Sequence, residues 1–144
     1  MSPRLALLII GYGNALRGDD GAGIRAATMI AARDSPIRVI VTHQLTPELA
    51  EDIARAAQVV FVDAYAAKEP GAKLRIERIG ADDAHSVPGH HGDPARLLAL
   101  VGRLGGSVPD AWVVGIPAFR FATGETISPE TAQRIDEAVA LFGE

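Results

Sequence analysis

Short apolar runs alternate with helix-sized amphipathic segments along this chain, and that alternation restricts its fold more than any other feature. Residues 4–11 form an apolar run too short for a helix, and residues 59–63 form another, so both read as buried strands. Residues 37–42 and 111–116 supply two further strands. Residues 72–79, Ala-Lys-Leu-Arg-Ile-Glu-Arg-Ile, alternate polar and apolar side chains, the pattern of an edge strand with one solvated face. Helices are expected over 21–33, from Thr46-Pro47-Glu48 onward, from Pro94 to about 104, and from Ser128-Pro129-Glu130 nearly to the C-terminus. Thr46 and Ser128 are the expected N-caps, each followed by a proline at the first helical position.

The resulting order, β-α-β-α-β-β-α-β-α, predicts an α/β fold with a mostly parallel sheet and helices on both faces. Right-handed crossovers place the second strand on one side of the first if the third goes to the other. The switch point then lies between strands 1 and 3, where open α/β sheets bind their ligands at the strands' carboxyl ends. Two carboxylates fall there. Asp20 lies in the glycine-punctuated loop after strand 1, and Asp63 closes strand 3. A third segment, Gly89-His-His-Gly-Asp-Pro94, sets His90 and His91 just ahead of a helix.

Composition narrows the chemistry. At 144 residues the chain is expected to be one domain over 1–144, long enough to bury a sizeable core. It contains no cysteine, which excludes disulfides, thiolate metal sites and a cysteine nucleophile. A net charge of −4 makes it a poor candidate for nucleic acid. The apolar N-terminal run is too short for a signal sequence or a membrane span, so a cytoplasmic protein with no membrane partner is expected. Gly11-Tyr-Gly13 begins like a dinucleotide fingerprint, but Leu16 occupies the third glycine position, and two aspartates stand where a pyrophosphate needs bare amides. No Gly-x-Ser-x-Gly elbow occurs.

Each candidate residue also has an ordinary structural role. Asp19 or Asp20 could cap the first helix and complement its dipole while the other projects into the cleft. Asp63 closes an apolar run, where a carboxylate without a partner is costly to bury. Loop histidines are mostly solvated, and His43 and His85 read as surface residues or as supports for the site. Phe119 and Phe121 read as loop anchors that could also line a peptide groove. Two carboxylates and one imidazole would leave open positions on a metal ion, as hydrolysis requires.

The string Gly11-Tyr-Gly-Asn-Ala-Leu-Arg-Gly-Asp-Asp-Gly-Ala-Gly23 resembles the signature of the hydrogenase maturation proteases, the endopeptidases that trim the C-terminal extension from the large subunit of nickel-iron hydrogenases. The resemblance continues in order through Phe61-Val-Asp-Ala64, the segment from His90 to Leu98, Val114-Gly-Ile-Pro117 and Gly124-Glu-Thr-Ile-Ser-Pro129. It implies a three-layer α/β/α sandwich with a five-stranded sheet, one edge strand being antiparallel. It also implies that Asp20, Asp63 and His90 are the catalytic and nickel-contacting residues. The nickel would be supplied by the partner, a hydrogenase large-subunit precursor, rather than held as a resident cofactor. One departure stands out: Thr42-His43-Gln44 replaces the Asp-Gly-Gly that many members carry after strand 2, which implies an altered choice of substrate. Two other functions fit the same residues, a non-catalytic nickel-sensing maturation chaperone and a metallo-aminopeptidase-like hydrolase with its own metal.

Overall fold

A computed structural model of the chain describes residues 5–33, 36–85 and 92–143. Its strands are β1 (Leu5–Tyr12), β2 (Arg38–Thr42), β3 (Ala56–Ala66), β4 (Arg75–Ile79) and β5 (Asp110–Ala118). Its α-helices are α1 (Ala22–Ala31), α2 (Leu49–Ala54), α3 (Gly92–Arg103) and α4 (Pro129–Ala140). The strands form one sheet in the order β2-β1-β3-β5-β4. Every pairing is parallel except β4 with β5. The expected α/β sandwich, the antiparallel edge strand and the switch point between β1 and β3 are all present.

Two apolar layers hold the helices to the sheet. Leu8, Ile10, Val59 and Phe61 point to one face and pack with Leu49, Ile53, Leu97, Leu98 and Val101 of α2 and α3. Ile9, Val60, Val62, Val114 and Ile116 point to the other and pack with Ala26, Ala27, Ile30, Ile135 and Val139 of α1 and α4. The alternation follows from the two-residue period of a strand. On the α1 side the approach is close. A Cβ on Gly23 would lie 2.3 Å from the carbonyl oxygen of Val62, and one on Gly11 would lie 2.4 Å from Cβ of Ala27. Only glycines at both positions let α1 rest directly on β1 and β3.

Some local expectations give way to tertiary context. β3 runs from Ala56 to Ala66, past both ends of the expected 59–63, because it pairs with β1 from Leu5↔Ala56 onward and with β5 as far as Ala66↔Ala118. A 3-10 turn over Gly18–Gly21 precedes α1, whose N-cap is Gly21 rather than an aspartate. Thr46 does not cap α2. The chain makes 3-10-type bonds from Leu49 to Thr46 and from Ala50 to Pro47, and α2 begins only at Leu49, with no side-chain cap. A second 3-10 segment, Ala81–His85, occupies part of the stretch after β4 that the sequence marks as loop. Ser128 caps α4 as expected, its side chain accepting from the Thr131 N–H.

Candidate functional site

The register of the central strands brings the site together. Gly11 pairs with Val62, so Tyr12 and Asp63 stand side by side at the carboxyl ends of β1 and β3. Tyr12 follows Leu8 and Ile10 in strand period, and Asp63 follows Val59 and Phe61, so both side chains face the α2–α3 layer. Directly after Tyr12 the chain turns at Gly13 (φ +145). A Cβ on Gly13 would meet the backbone oxygen of Asp20 at 2.4 Å and Oδ1 of Asp63 at 3.9 Å. Glycine here serves two needs, a backbone angle that other residues rarely adopt and room for the two acidic residues to approach.

The charge of Asp20 reaches Asp63. Burial does most to push the Asp63 carboxyl up, to about 7, and the charges of Asp20 and Asp93 add to it. The Ala64 N–H, donating to Oδ1 at 2.8 Å, and the Tyr12 hydroxyl act in the opposite direction. The Tyr12 hydroxyl is itself held far above its ordinary range, first by burial and then by Asp63 and Asp93, so it stays a neutral O–H. It lies close enough to Asp63 to shift that group, yet it has no hydrogen-bond partner of good geometry among the described residues. Asp20 and Asp63 thus lie near each other around Gly13 at the β1/β3 switch point. Tyr12 and Asp93 join them, and neither was marked by the sequence alone. A tyrosine as the last residue of a strand, between two glycines, was the available signal for the first.

Asp19 plays a different part from its neighbour. It is fully buried (0% exposed) and caps no helix. Its carboxylate accepts from the N–H groups of Phe119 (2.8 Å), Arg120 (2.9 Å) and Ser128 (2.7 Å) and from the hydroxyls of Ser128 (2.7 Å) and Thr131 (2.8 Å). Burial alone would raise its pKa, but the Ser128, Phe119 and Arg120 donors outweigh it and hold the carboxyl below the usual range. Backbone bonds from Gly18 to Gly124 and from Gly124 to Leu16 lace the same two loops together. Asp19 therefore fixes the loop after β1 against the loop after β5, and Asp20 is presented from a braced turn.

His43 is exposed just past the end of β2, as a surface residue would be. Phe121 is 36% exposed, while the backbone of Phe119 is anchored by Asp19. His90 and His91 lie outside the described residues. Among the described residues no group of three or more His, Asp or Glu side chains is gathered as a metal site.

Solved structures share this architecture over nearly the whole chain. The hydrogenase maturating endopeptidase HybD from E. coli superposes with a TM-score of 0.78 at 19% identity, over 95% of this chain and 89% of that one. The [NiFe] hydrogenase maturation protease HybD from Thermococcus kodakarensis gives 0.74 at 23% identity, over 95% and 96%. The endopeptidase HycI from Escherichia coli gives 0.71 at 20% identity, over 93% and 86%. This chain has the hydrogenase maturation protease fold. No protein-family model and no curated relative matches the sequence. At these identities the likeness establishes architecture, and the chemistry must be argued from the site.

Proposed function

We propose that the protein is an endopeptidase that removes the C-terminal extension of a nickel-iron hydrogenase large subunit after nickel insertion. The observation that carries this reading is that Asp20 and Asp63 flank Gly13 at the β1/β3 switch point, close enough for the charge of Asp20 to act on Asp63, in a fold shared with hydrogenase maturation endopeptidases. With no cysteine and no serine elbow, hydrolysis at this place falls to carboxylates and a metal ion. Asp20, Asp63 and, by resemblance, His90 contact the nickel that the substrate brings with it. A carboxylate of the pair takes the proton of the attacking water. The water oxygen bonds to the peptide carbon, the C–N bond breaks, and the leaving amine takes up a proton. The substrate's ion completes the ligand set, so binding energy and catalytic charge arrive together.

The test uses the purified protein with its hydrogenase precursor, nickel-loaded and nickel-free. One cut near the C-terminus of the loaded precursor alone is expected. His90→Ala should abolish it, and His91→Ala should weaken it at most. Equal cutting of the nickel-free precursor, or tightly held zinc with turnover of generic short peptides, would overturn the reading.

A further inference from the structure

A groove of about 260 Å³ runs beside α3 on the same side of the sheet as Tyr12 and Asp63. Its helical wall is the stripe Asp93, Arg96, Leu97, Leu100 and Arg103, spaced so that all lie along one face. Leu45, from the connection between β2 and α2, lies opposite, and Leu45 and Leu100 pack on the core beneath. The two ends differ in charge. Asp93 stands at the site end, near enough to Asp63 and Tyr12 to act on both. Arg103 stands at the far end with no ion-pair partner among the described residues, whereas Arg96 is engaged by Asp93 at 3.2 Å. An unpaired guanidinium beside an apolar floor, on a protein of net charge −4, is a place for a carboxylate.

We propose that this groove binds the part of the substrate that follows the cut bond, taking an apolar side chain over Leu45, Leu97 and Leu100 and a carboxylate on Arg103. The proposal rests on the endopeptidase reading for the identity of the substrate and on the groove alone for its chemistry. Length sets the register. From residue 93 to residue 103 a helix rises about 15 Å. An extended peptide covers that in roughly four or five residues. The carboxylate therefore sits about that far beyond the site end of the groove, as an acidic side chain or a chain terminus.

The test is titration of the full-length protein, followed by NMR chemical shifts, with acetyl-Ala-Leu-Ala-Ala-Glu-amide. Three companion peptides replace Glu by Gln, replace Leu by Ala, or carry a free terminal carboxylate in place of the Glu side chain. Saturable binding with shifts along 93–103 is expected. It should weaken about three- to ten-fold with the Gln peptide, with the Ala peptide and in Arg103→Gln, and it should weaken further with added salt. The free-carboxylate peptide distinguishes the two sources by which binds more tightly. Equal binding of the Glu and Gln peptides, no effect of Arg103→Gln in a protein of unchanged melting temperature, or shifts confined to another face would overturn the groove. The precursor assay keeps the two readings apart. Arg103→Gln should raise KM with little change in kcat. Normal processing by Arg103→Gln without peptide binding sinks the groove alone, and peptide binding without any processing sinks the endopeptidase alone.

Discussion

Two aspartates near the carboxyl ends of the central strands, Asp19 and Asp63, have opposite fates in the fold. Asp19 is buried ionised because five donors meet it, and its lowered pKa adds stability that is present above the unfolded value, about 4, and lost as the pH falls through the folded value. Asp19→Asn should cost roughly 3 kcal/mol, since donors are left facing an amide, and melting should fall by about 6–12 °C. An unchanged melting temperature would show that water replaces the carboxylate. Asp63 has the reverse sign. Its folded pKa of about 7 is raised, so its contribution is fully present below about 4 and is lost as the pH rises to about 7. Asp63→Asn should therefore melt a few degrees higher than the parent at pH 8 and no higher at pH 4, while processing collapses. A lower melting temperature at pH 8 with processing intact would mark Asp63 as a structural residue bonded to the Ala64 N–H.

At the scale of elements, the site depends on how closely α1 lies on the sheet. The Cβ added by Gly23→Ala would press on the carbonyl oxygens of Val62 and Tyr12, 2.3 and 2.8 Å away, and backbone has little room to yield. A loss of about 1–3 kcal/mol is expected from denaturant unfolding. Because Tyr12 and Val62 flank the site, activity should fall by more than the folded fraction does; activity that simply tracks folded protein would contradict this coupling. The start of α3 is the other element that matters. Its Asp93 adds negative charge beside Asp63 and Tyr12, so Asp93→Asn should lower the upper limit at which the site takes up a proton. A pH–rate profile is the measurement, and a profile identical to the parent's would place Asp93 outside the site's field.

At the scale of the whole molecule, the sheet order puts Asp20 and Asp63 at one switch point although they stand 43 positions apart in the chain. No helix among the described residues is long and apolar enough to cross a membrane. With three ligands of mixed type and no thiolate, the proposed site holds metal only moderately on its own. The purified protein should then carry little stoichiometric metal by elemental analysis, and nickel should associate durably only when the precursor is present. One tightly held ion per chain that survives chelation would indicate a resident cofactor instead.

The sequence by itself determined the strand and helix order, the antiparallel edge, the switch point, and that Asp20 and Asp63 fall beside it. Those follow from apolar period and from connection rules, which act between near neighbours or on whole elements. The Ser128 cap was legible for the same reason, because its acceptor and its donor Thr131 are three residues apart. The uses of Asp19, Tyr12 and Asp93 were decided only by the tertiary structure. Asp19 and its Ser128 partner are 109 residues apart. Its exclusion from the helix cap depends on which loops close over it, and local propensity carries no record of that. Tyr12 faces Asp63 only because β1 and β3 pair in one register, and a slip of one residue would turn its ring to the other layer.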